Sequence, residues 1–166
     1  MPVDAAAIRR LRAEIASDRR ALTARSAEVR TFSQAADPLP AERPSALALG
    51  LDRTYTSLES VLERIARTLE GGLPEGPDWH RSLLGNASLN IDKVRPSILG
   101  AEAQVAADEL RRLRHFLRHA YAATLEWERL RLVATSWLAA ESRVQADLDA
   151  FEAFLDQLAN TLDQAE

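Results

Sequence analysis

Eleven consecutive residues, Arg111-Arg112-Leu113-Arg114-His115-Phe116-Leu117-Arg118-His119-Ala120-Tyr121, hold four arginines, two of the chain's three histidines and one of its two tyrosines. Arg114 and Arg118 are four apart, as are His115 and His119, so on a helix each pair shares a face about 6 Å apart. Arg111, Arg114 and Arg118 then make a guanidinium ridge with imidazoles beside it. Guanidinium offers phosphate a planar fork of donors and keeps its charge near neutral pH, and imidazole moves a proton there. Cleaving an RNA phosphodiester without a metal needs a base for the 2′-hydroxyl, an acid for the leaving 5′-oxygen and positive charge at phosphorus. Histidine suits either proton role, each well-placed transfer contributing about 10²–10⁴ in rate, and arginine suits the charge role. One copy of the segment supplies the set once. A two-fold dimer would place two Arg/His sets across a cleft, one histidine as base and the other as acid.

The elements that must position these groups read as helices, because helix formers dominate and period-two β-branched runs are absent. The first helix is expected from Asp4, its N-cap, to Phe32, packing through Val3, Ile8, Leu11, Ile15, Leu22 and Val29 and stopped by Asp37-Pro38-Leu39-Pro40. The second starts near Pro44, carries the stripe Leu47, Leu51, Tyr55, Leu58, Leu62, Ile65 and Leu69, and ends at Gly71-Gly72. A Gly/Pro loop over 71–77 leads to a short helix, Trp79 to Asn86, with Asp78 as its cap, and 90–95 reads as a connection. The fourth helix is expected from Pro96-Ser97 and to pack through Ile98, Val105, Leu110, Leu113 and Leu117. After Tyr121 the periodicity predicts two helical pieces divided at Thr135-Ser136. The second of them packs through Leu138, Val144, Leu148, Phe151, Phe154, Leu155, Leu158 and Leu162. Trp79, Trp127 and Trp137 read as core. One apolar stripe and one charged back per helix imply an all-α, single-domain antiparallel bundle of four to six helices over 1–166.

The 166 residues can bury a core unaided, and the lack of cysteine excludes disulfides and thiolate chemistry. The sequence suggests neither a signal peptide nor a membrane span, so the expectation is a cytoplasmic protein without membrane association. A net charge of −4 argues against coating nucleic acid over the whole surface, whereas four arginines within 111–118 suggest an anion met at one place.

Arg114-x(4)-His119-x-Tyr121 resembles the Arg-x(4)-His-x-Tyr signature of HepT toxins in the HEPN superfamily, and a polar residue after the arginine, His115, fits that pattern. Asp78-Trp79-His80, Ser82-Leu83-Leu84, Arg95-Pro96 and Leu113-Arg114-His115-Phe116 resemble a HepT-like subgroup. The likeness covers roughly 44–160, and the long N-terminal helix, within 1–36, falls outside it. Arg118 departs from relatives that carry a small polar residue there. The resemblance implies a cofactor-free, metal-independent endoribonuclease toxin with a composite site of Arg114 and His119 at a homodimer interface. His115, Arg118 and Arg111 would support the RNA phosphate. It also implies an MntA-type nucleotidyltransferase antitoxin that transfers AMP to Tyr121, an anionic bulk that would exclude RNA from the cleft.

Two other readings compete. His80, His115 and His119 could form a three-histidine metal site of the DinB-like kind, against which the adjacent arginines would repel a divalent cation. A non-catalytic HEPN bundle that binds a nucleotide or a partner is the other. Neither Arg114 nor His119 is expected in an apolar stripe, so replacing either by alanine is expected to leave the protein folded.

Overall fold

A computed structural model describes residues 3–119 and 125–165 as five helices: α1 (Ala5–Phe32), α2 (Arg43–Leu69), α3 (Trp79–Asn86), α4 (Ala101–His119) and α5 (Trp127–Ala165). The architecture is an all-helical bundle, with no strand among the described residues. Buried apolar side chains from all five helices meet in one cluster. Asp4 caps α1 as the sequence implied, its Oδ1 accepting from the Ala7 N–H at 2.7 Å. Pro44 sits in the first turn of α2, whose missing N–H costs nothing there. Beyond α2 the chain turns at Gly71, whose φ of +82° lies in the left-handed region, and the Gly72 N–H returns to the Ala66 carbonyl.

Ion pairs set the register of α1 against α5. As α1 numbers rise, α5 numbers fall: Arg9 pairs with Asp163, Arg12 with Asp156, Arg19 with Glu152 and Asp149, and Arg30 with Glu141. On the other side Arg64 of α2 meets Glu14 and Asp18 of α1. Exposed pairs contribute little energy each, and arginines on α1 against acids on α5 suit the antiparallel register seen here. The stripe of α1 (Ile8, Leu11, Ile15, Leu22, Val29) is fully buried, so this helix is part of the common core.

The structure corrects the expected boundaries in three places. Asp78 makes no side-chain cap for α3; its backbone carbonyl accepts from Arg81 and Ser82 instead. Helix α4 begins at Ala101 because 96–100 is tied elsewhere. The Ile98 and Leu99 N–H groups both donate to the Ala87 carbonyl, and the Gly100 N–H donates to Asp147 Oδ2 at 2.8 Å. Finally α5 is unbroken across Thr135-Ser136. Leu130, Ala134, Trp137, Val144, Leu148, Phe151 and Leu155 recur at three, four and seven, a single stripe that stays buried throughout. Trp137 is fully buried and donates to Ser26 Oγ of α1 at 2.9 Å, which fixes the helix where a break was expected. Trp79 and Trp127 are only half-buried against the core.

One buried arginine organises the connection between α3 and α4. Arg95 bonds Glu70 at 2.7 Å and the carbonyls of Leu89, Asn86 and Pro96 at 2.9–3.0 Å. A loop folded over a protein surface must pair its carbonyls, and this single guanidinium pairs three. It thereby holds α3 where α3 can face α4.

Candidate active site

Helix α4 buries Ala103, Ala106, Ala107, Leu110 and Arg114, while Val105, expected in the core, is 63% exposed. The alanines let α4 lie close to its neighbours, and the stripe they define runs on into a charged residue. Arg114 is only 8% exposed, contrary to the expectation that it lies outside the apolar stripe. It is accommodated because α2 offers matching groups. Its Nη1 donates to Thr56 Oγ1, its Nη2 lies 3.2 Å from Glu59 Oε2, and its guanidinium carbon is 5.5 Å from the centre of the Tyr55 ring. The Thr56 hydroxyl is itself aimed, donating to the Asp52 carbonyl at 3.0 Å.

Glu59, which the sequence reading did not single out, is 4% exposed and faces two partners. Its second oxygen, Oε1, accepts from His80 Nδ1 at 2.5 Å. The His80 ring stacks on Trp79 with centroids 3.6 Å apart. The signal in the sequence was positional: Leu51, Tyr55, Glu59, Leu62 and Ala66 share one helix face, and an acid inside such a stripe needs a buried counter-charge.

Around this triad a cleft of about 260 Å³ opens between α2, α3 and α4. It is lined by Tyr55, His80, Arg111, Arg114, His115, Arg118 and His119, so all the described residues of the expected site border one space. Arg111 is held at Nε by Asp108 at 2.7 Å. Burial disfavours the Asp108 charge, but that hydrogen bond and the charges of Arg111 and Arg112 outweigh it and hold the carboxyl below its usual range. Arg112 pairs with Asp108 at 2.7 Å and borders neighbouring grooves rather than this cleft. Arg118 is exposed and has no ion-pair partner among the described residues. His119, the last residue of α4, bonds through Nδ1 to the His115 carbonyl at 2.8 Å and stacks on the His115 ring at 4.2 Å. Because the carbonyl can only accept, Nδ1 carries the proton and Nε2 is the ring's open nitrogen. Tyr121, the expected modification site, lies outside the described residues.

Among the described residues no group of three His, Cys, Asp or Glu side chains is arranged to hold a metal ion. The three imidazoles border the cleft, but two of them spend Nδ1 on protein acceptors.

A protein-family model for HepT-like proteins matches residues 46–155. The chain belongs to the HepT-like family. No curated protein and no solved structure matches it. The stretch that makes the chain HepT-like contains every residue of the cleft and most of α5. It leaves out α1, which this HepT-like chain has packed into the same core. Among the described residues no helix is long and apolar enough to cross a membrane.

Tyr55 gives the HepT-like cleft a pH-dependent property. Burial pushes its phenol well above the ordinary range, and the Glu59 carboxylate adds to this against the opposing pull of Arg111 and Arg114. With the folded value raised, the unfolded chain loses the proton first, so stability falls as pH climbs past about 10. In a Tyr121→Phe variant, where Tyr55 is the single tyrosine, phenolate absorbance should stay flat through that range and rise only with alkaline unfolding. Titration near pH 10 in the folded protein would contradict the burial argument.

Proposed function

We propose that this chain is a metal-independent endoribonuclease, the toxin half of a toxin–antitoxin pair. The reading is supported by family membership and carried by one observation: Arg114, Arg118, His119 and two further imidazoles border one open cleft. RNA would lie with its phosphate against Arg118 and Arg114, and His119 Nε2 would perform one of the proton transfers. Two copies related by a two-fold axis would present two such sets to one RNA backbone, a composite site at a homodimer interface. The 2′-oxygen attacks phosphorus and the 5′-oxygen leaves, giving a 2′,3′-cyclic phosphate and a 5′-hydroxyl.

The purified protein should cleave an oligoribonucleotide equally well with and without chelator, and 2′-deoxy substitution at the cut residue should stop it. Intact RNA after long incubation, or inhibition by the chelator, sinks the reading. RNA bound but uncut would support the non-catalytic alternative, which the neutralising contact of Glu59 with Arg114 favours. Family resemblance further supports a nucleotidyltransferase antitoxin that places AMP on Tyr121. Mass spectrometry of the co-expressed pair should find the adduct there, and an equal adduct on the Tyr121→Phe chain rules that residue out.

A further inference from the structure

We infer that His80 is the base of this cleft, taking the 2′-hydroxyl proton at Nε2 while Glu59 holds Nδ1. The inference rests on the ribonuclease reading and adds to each copy of the composite site a second imidazole from its own chain.

Three contacts set the ring. A carboxylate accepts but cannot donate, so the 2.5 Å contact with Glu59 Oε1 requires a proton on His80 Nδ1. That leaves Nε2 as the nitrogen with a lone pair, and the side chain is part-exposed on the cleft. Trp79, stacked at 3.6 Å, fixes the ring plane. Glu59 is in turn fixed by Arg114, so the carboxylate cannot swing away. Carboxylate, imidazole and open nitrogen in that order is the arrangement by which a buried acid orients a general base and meets the charge formed on it. His119, its Nδ1–H held by a backbone carbonyl on the α4 side of the same cleft, is the complementary acid in its doubly protonated form, with the transferable proton on Nε2.

The proton count balances within one chain. His80 Nε2 takes the 2′-hydroxyl proton as the 2′-oxygen bonds to phosphorus. The bond from phosphorus to the 5′-oxygen breaks, and His119 protonates that oxygen. The enzyme is left with His80 protonated and His119 neutral, and exchange with water restores both.

Charged and titratable neighbours come from two helices. Tyr55 and Glu59 face His80 from α2, and Arg111, Arg114, His115, Arg118 and His119 face the cleft from α4.

The test is kcat/KM for oligoribonucleotide cleavage against pH, for the wild type and for His80→Gln and His119→Gln, with a 5′-bridging phosphorothiolate as second substrate. Its sulfur leaves without needing a proton. His80→Gln should lose about 10²-fold or more and the acid-side limb of the profile, with no recovery on the phosphorothiolate. His119→Gln should recover on it. A His80→Gln enzyme with wild-type rate and both limbs overturns the assignment while leaving the ribonuclease reading in place. Recovery of His80→Gln on the phosphorothiolate overturns it too, by making His80 the acid. A wild type that cleaves neither substrate removes the ribonuclease reading, and this inference falls with it.

Discussion

Replacing Arg114 by alanine should lower the free energy of unfolding by about 3 kcal/mol, because it leaves the Glu59 carboxylate buried without its counter-charge. In a chain of this size that corresponds to a fall in Tm of roughly 6–12 °C. The loss should shrink in the Arg114→Ala, Glu59→Gln double variant, since a neutral amide is far cheaper to leave in that position than a charge. A denaturant-unfolding cycle over the four proteins measures the coupling directly. Equal stability of wild type and Arg114→Ala would show that the ion pair does not organise the site. The expectation from sequence alone, that this variant stays folded unharmed, is replaced by the opposite one. Lost toxicity in Arg114→Ala therefore says little about catalysis until activity is scaled to the folded fraction.

That reversal shows where the sequence was readable and where it was not. Helices α1, α2 and α3 were legible because large apolar residues recur at helical spacing and Pro44 and Gly71-Gly72 punctuate them. On α4 one bulky residue of the expected stripe departs from it: Val105 is exposed, whereas Leu110 is buried and Leu113 and Leu117 pack partly buried against the core. The buried stripe is built on Ala103, Ala106 and Ala107, whose small side chains permit close approach, and it continues through Leu110 to Arg114. The motif residues Arg111, Arg114, His115, Arg118 and His119 border one cleft, since spacing along one helix is local information. Their partners were not local. Glu59 is 55 positions upstream of Arg114, and His80 was weighed as a metal ligand because nothing in a string of residues says that a carboxylate waits beside it. The unbroken course of α5 depends similarly on a contact between Trp137 and Ser26, 111 residues apart.

His119→Ala should behave in the opposite way to Arg114→Ala: RNA cleavage and toxicity fall by about 10²–10⁴, while the unfolding midpoint barely moves. The side chain is exposed at the last residue of α4, and it gives up one hydrogen bond, to the His115 carbonyl. That carbonyl is also the i−4 acceptor of the His119 backbone N–H within α4, so loss of the ring does not strand it. Its stacking on His115 is likewise at the surface, so the stability change should stay within about 0.5 kcal/mol. A variant that folds like the wild type but no longer cuts leaves the lost imidazole as the explanation, which Arg114→Ala cannot do. Thermal melts and oligoribonucleotide cleavage on the same preparation decide it. Full toxicity in His119→Ala would remove this histidine from the chemistry. A large stability loss with activity retained per folded molecule would make it a structural cap on α4.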